Sequence, residues 1–178
     1  MDTTVNTNLI AEAVAHLKTE TVDRVRAITL GRLTEMAEGL VGRNLRTEAP
    51  LPRSTMSRAE YISAKDRYAL ARRITHYSRS GAHVGADEIV TGVDKAAIEA
   101  LAQEAADDAA LSFDAYVAKL TSKVGDVDSA RVCGARLWQG STLTVTKGDT
   151  VERWHTQQII NFSALGRAFN QWPTRKLK

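Results

Sequence analysis

The chain has 178 residues, 43% apolar and 25% charged, a length and balance that fit one globular domain with a real core and exclude wholesale disorder. Its one cysteine, Cys133, excludes an internal disulfide, and no apolar run approaches the roughly 20 residues that span a bilayer. The net charge of +3 is small but laid out in blocks: −2 over residues 1–42, +6 over 43–79, −7 over 84–128 and +6 over 129–178. The opening Met1-Asp2-Thr3-Thr4 lacks the positive and apolar regions of a secretory signal, so a cytoplasmic location and no membrane partner are expected.

From about Asn8 to Val41 apolar residues recur at helical spacing, through Ile10, Val14, Leu17, Val25, Ile28, Leu33, Met36 and Leu40, and predict a long amphipathic helix. Gly31 is a point of weakness, because glycine inside a helix costs roughly 1 kcal/mol relative to alanine; Gly39 and Gly42 are the stop signals. A stripe this long needs a cover. Either later helices supply it, or residues 8–41 self-associate into a homo-oligomer.

Residues 43–57 hold Pro50 and Pro52 and read as a loop. Ser57-Arg58-Ala59-Glu60 reads as a capping box opening a second helix, expected to run to about Ser80 and to end at Gly81. After a short linker, Asp94 is expected to cap a third helix through about Asp107, with Ile98, Leu101 and Ala105 inward. A fourth is expected from Leu111 or Ser112, with Phe113, Val117, Leu120 and Val124 on one side and Gly125 at its end.

The character changes near Arg131. Segments Ala130–Trp138, Thr142–Thr146 and Thr150–Phe162 are rich in β-branched and aromatic residues, and the turn sequences Gln139-Gly140-Ser141 and Lys147-Gly148-Asp149 join them. Leu143 and Val145 alternate with Thr142, Thr144 and Thr146, which gives one buried and one wet face. Ser163 is expected to cap a last short helix through Phe169, which Pro173 stops, and the tail from Thr174 to Lys178 is basic. The expected fold is thus α+β in a single domain: a four-helix N-terminal two-thirds (1–128), then a three-stranded antiparallel meander and a short C-terminal helix (129–178).

Two basic surfaces follow. Arg58, Lys65, Arg72 and Arg79 are spaced by sevens, so on a helix they drift only about 20° per step and share one face, flanked by Tyr61 and Tyr68. Guanidinium groups suit phosphates and flat rings stack on unpaired bases. The bland reading is a solvated flank whose cations pair with the acidic 84–128 block. The second surface is the C-terminal third, where Lys147 lies at a hairpin tip and Arg153, His155, Arg167, Arg175, Lys176 and Lys178 crowd the last elements. Trp138 and Trp154 are expected to close a small second core, whereas Trp172, in Asn170-Gln171-Trp172-Pro173, docks on the domain or on a partner.

Catalytic readings find little. The four histidines (His16, His76, His83 and His155) lack metal-ligand spacing, a lone cysteine completes no usual zinc site, and the carboxylate pairs match no cation loop. Cys133 is expected to be a buried structural cysteine rather than a nucleophile paired with His155. No cofactor, metal or enzymatic activity is expected. The leading expectation is a nucleic-acid-binding accessory protein, in style like those of bacteriophages and mobile elements, gripping DNA or RNA phosphates through the basic helix face and the hairpin region. The alternative is a protein–protein interaction module, a structural subunit or an inhibitor, that docks through the long helix and Trp172.

Overall fold

A computed structural model of the chain describes residues 8–48, 57–80, 86–136, 140–156, 159–162, 168–171 and 174–176. The first helix, α1, spans Asn8–Leu40 without a break, and Gly31 sits inside it with open space where a Cβ would go. Gly42 turns the chain out of the helix with a φ of +80°, a conformation that favours glycine. A 3₁₀ turn follows over Leu45–Glu48. The second helix, α2, spans Arg58–Ile74 and opens with the expected capping box: Glu60 N donates to Ser57 Oγ at 3.3 Å, and Ser57 N donates to Glu60 Oε2 at 2.8 Å.

Strand β1 (Thr75–Ser80) starts where α2 stops, and it pairs antiparallel with β2 (Asp87–Val93). The third helix, α3 (Lys95–Val124), opens under Asp94, whose Oδ1 accepts from Ala97 N at 3.0 Å. It ends at Gly125, with φ +76°. The rest is extended. Strands β3 (Ser129–Arg136), β4 (Gly140–Lys147) and β5 (Thr150–Thr156) form an antiparallel meander, and β8 (Thr174–Lys176) pairs with the far edge of β5. Between them, β6 (Ile159–Phe162) and β7 (Ala168–Gln171) make a separate two-stranded sheet.

The class is α+β, but the expected arrangement of four helices, one meander and a C-terminal helix is overturned. Among the described residues there are three α-helices. The expected third and fourth are one, because no Gly or Pro lies between Asp94 and Gly125. Ile98, Ala102, Ala105, Ala109, Phe113, Tyr116, Leu120 and Val124 carry one buried stripe through the whole length.

The second helix stops six residues early. Ile74-Thr75-His76-Tyr77 is a β-branched and aromatic run, and the supposed linker holds its partner, Ile89-Val90-Thr91-Gly92-Val93. Once Thr75 is extended its hydroxyl still caps the helix, donating to the Ala71 carbonyl at 2.6 Å. The expected C-terminal helix is also absent as drawn. Residues 168–171 are strand, paired with the Ile159-Ile160-Asn161-Phe162 segment, while 163–167 lie outside the described residues.

The chain forms two compact units, one built from residues 1–25, 106–161 and 168–178, the other from 26–105 and 162–167. The core of the first is Ile10, Val14 and Leu17 of α1, Phe113, Tyr116, Leu120 and Val124 of α3, Val127, and Leu143 and Val145 of β4. Each large aliphatic or aromatic side chain removed from water there contributes about 1.5–3 kcal/mol before entropy is counted. In the second unit Leu33, Ala37, Leu70, Ile74 and Ile98 form one cluster, and Leu40, Leu45, Ala71 and Val90 another.

The segment leaving α1 also lies along the open edge of β2. Gly42 N donates to the Val90 carbonyl and Val90 N to the Arg43 carbonyl, both at 2.9 Å, and Asn44 Nδ2 donates to Asp87 Oδ1 at 2.8 Å. Of the apolar stripe of α1, Ile10, Val14, Leu17, Val25, Leu33 and Leu40 are buried and Ile28 and Met36 half-buried. Among the described residues, no helix is long and apolar enough to cross a membrane.

Candidate functional site

The meander has a buried side and an outward side, set by the two-residue period of its strands. Leu143 and Val145 are fully buried, and Ala130, Val132 and Trp154 pack around them. The alternate positions therefore face out: Ser129, Arg131 and Cys133 on β3, Thr142, Thr144 and Thr146 on β4, Val151, Arg153 and His155 on β5. The register lines them up in rows. Arg131 pairs with Thr144 and Thr144 with Arg153; Cys133 pairs with Thr142, Thr142 with His155, and His155 with Arg175 of β8.

Neighbouring strands lie about 4.8 Å apart, so Arg131 and Arg153 stand about 10 Å apart across Thr144. Both are exposed. Among the described residues neither enters an ion pair. None of the nine outward positions is a carboxylate. This face can therefore offer two unneutralised guanidinium forks and a central row of hydroxyls to an anion.

Arg153 and His155 were legible as basic residues of the last third, but sequence reasoning missed Arg131. Its membership is decided by the β3–β4 register, which no residue pattern prints. Cys133 corrects the expectation of a buried thiol: it is exposed on the outward side of an edge strand. Trp154 does turn inward, half-buried, with Nε1 donating to Glu152 Oε2 at 3.3 Å.

Lys147 is used internally. Its Nζ donates to the Val124 carbonyl, at the C-terminal end of α3 where a cation is favoured, and lies 3.4 Å from Glu152 Oε2. The tip itself is held by Gly148 N donating to Asp128 Oδ2 at 2.6 Å.

The stripe of sevens does not survive as one helix face. Arg58 and Lys65 are exposed on α2 beside half-buried Tyr61, but Arg79 belongs to β1. Arg72 is drawn into a network between α2 and the β1–β2 hairpin. Its guanidinium lies 5.6 Å from the Tyr68 ring centroid and 4.9 Å from that of Tyr77, and it donates to both phenol oxygens, 3.0 Å to Tyr68. The Tyr68 bond foremost, then Tyr77 and Glu88, raises the Arg72 pKa against an opposing desolvation.

Glu88, buried at the hairpin, takes Arg72 Nη1 at 3.5 Å and Arg79 Nε at 3.3 Å, and accepts from Tyr68 Oη at 3.3 Å. Arg73 pairs with Glu104 at 3.4 Å. The acidic block thus neutralises the C-terminal half of the stripe, because those cations meet carboxylates where hairpin and helix pack.

Of the remaining expected site residues, Arg167 and Trp172 lie outside the described residues, and Arg175 and Lys176 are placed by backbone pairing in β8, opposite His155 and Trp154. Among the described residues no group of three or more His, Cys, Asp or Glu side chains could hold a metal ion. Comparison with protein-family models, with curated proteins and with solved structures finds no match to this chain.

Proposed function

We propose that this chain is a non-enzymatic nucleic-acid-binding protein that grips phosphates with the outward face of its C-terminal meander. The observation that carries the reading is the carboxylate-free face on which exposed Arg131 and Arg153 flank Thr144. Arginine forks suit phosphate oxygens, threonine hydroxyls are common phosphate donors, and a sheet is an established element for contacting nucleic acid. The exposed Arg58 and Lys65 of α2 form a second, weaker basic patch.

The test is fluorescence anisotropy of the full chain with labelled DNA and RNA, beginning at low salt. Binding that weakens steeply as salt rises supports the proposal, since each neutralised phosphate releases counterions. Absence of binding at micromolar protein at the lowest salt overturns it.

A further inference from the structure

Resting on that reading, we infer that the ligand of the meander face is a double-stranded nucleic acid held through its phosphates, with no base stacked on the sheet. Proteins that hold single strands combine a basic track with rings on which successive bases stack, each worth roughly 1–3 kcal/mol. Among the described residues the outward face has the first part only. Its nine positions hold no Phe, Tyr or Trp, and its one ring, the half-buried imidazole of His155, does not make a platform for successive bases. The tryptophan of β5 points the other way: Trp154 packs with the core cluster.

What remains is two guanidinium groups about two strand spacings apart, roughly 10 Å, with threonine hydroxyls between them and exposed Cys133 and Val151 at the margins. A duplex presents one charge per roughly 1.7 Å of axis against one per 3.4 Å for each strand alone, and it exposes phosphates while hiding base faces. A face without stacking rings therefore gains nothing from a single strand that a duplex does not supply at twice the charge density.

For two phosphates neutralised, the salt slope of binding is about −1.8 on a duplex and about −1.4 on a single strand; with equal affinities at 1 M salt, where the electrostatic contribution vanishes, the duplex is about threefold tighter at about 0.05 M salt. The experiment titrates the full chain into 20-mer duplex DNA, duplex RNA and the corresponding single strands of two unrelated sequences, at several salt concentrations. The Arg131→Ala/Arg153→Ala double variant follows in parallel, its fold checked by circular dichroism.

The expected result is duplex binding at least about threefold tighter than single-strand binding, indifferent to sequence, with the slope reduced by about 1.8 in the variant. The DNA and RNA arms tell which duplex is taken. Tighter or base-dependent single-strand binding overturns this inference and leaves the nucleic-acid reading standing. No binding to any arm overturns both, and a slope unchanged in the folded variant removes the meander face from either.

Discussion

Arg79 and Glu88 sit directly opposite one another in the β1–β2 register, with Arg79 Nε 3.3 Å from Glu88 Oε1. The same carboxylate oxygen is 3.5 Å from Arg72 Nη1, so one buried acid ties α2 to the hairpin through Arg72 and the two hairpin strands to each other through Arg79. Removing its charge leaves both arginines facing a site built for an anion. Glu88→Gln is expected to destabilise the chain by about 1–2 kcal/mol, discounted from a fully buried pair because both arginines reach solvent. Arg79→Ala, at a side chain 66% exposed, is expected to cost under about 1 kcal/mol. Urea denaturation of the two variants measures the difference.

Thr144→Glu separates binding from folding. The new carboxylate stands between Arg131 and Arg153 on an outward row, so it adds cross-strand opposite-charge pairs worth roughly 0.2–1 kcal/mol each. The melting temperature should stay level or rise, while affinity for nucleic acid at low salt falls at least as far as in the double arginine variant. A fall in stability together with retained binding contradicts the assigned face.

Lys147 and Arg153 make a matched pair of controls, both basic and both near the end of the meander. Lys147 is occupied by the Val124 carbonyl and Glu152, whereas Arg153 is free of ion pairs among the described residues. Lys147→Ala is expected to leave the salt slope of binding unchanged and to lower stability by about 1 kcal/mol through the lost helix-end contact. Arg153→Ala is expected to reduce the slope by about 0.9 and to leave stability nearly unchanged. Titrations at three salt concentrations, paired with thermal melts, distinguish them.

Acid titration reports on the α2 cap. Hydrogen bonding from Ser57, through its side chain first and its backbone second, holds the Glu60 pKa below the ordinary value of 4.5. A depressed carboxyl stabilises the folded state fully above the unfolded value, and that contribution is lost as pH falls through the lower folded value. Ser57→Ala should therefore destabilise the protein at pH 7 and flatten the loss of stability below pH 4.5. Denaturant midpoints measured from pH 7 down to 3 test both parts.

Leu143 and Ile74 anchor separate clusters, each with no exposed surface. Truncating either to alanine leaves a cavity and is expected to cost about 2–5 kcal/mol, read as a lowered urea midpoint. Leu143→Ala should also weaken binding if measured near its unfolding range, because the face it supports is the other side of its own strand.

The residue pattern carried those parts of the fold that depend on neighbours a few positions away. The capping box at Ser57–Glu60, the Asp94 cap, the Gly125 stop and the Leu143/Val145 alternation all came through, since each is a local hydrogen bond, a backbone conformation or a period. It misjudged Thr75–Val93, because a seven-residue spacing of cations looks helical while the strand preference of Ile74 to Tyr77 is realised only when Ile89 to Val93 arrive as a partner. It split α3 at Asp107-Asp108, where weak helix formers sit but nothing breaks the backbone.

The sequence by itself determined that the chain carries two basic blocks, an acidic one between them, and a last third with a wet threonine face. Only tertiary structure decided which cations remain available. Electrostatic neutralisation needs two groups within a few ångströms, and the partners here are 16 and 9 residues apart for Arg72 and Arg79 with Glu88, brought together by the hairpin. Register did the opposite for Arg131 and Arg153, setting them on either side of a threonine in a row without an acid, so of the two expected basic surfaces the sheet keeps its cations unpaired among the described residues.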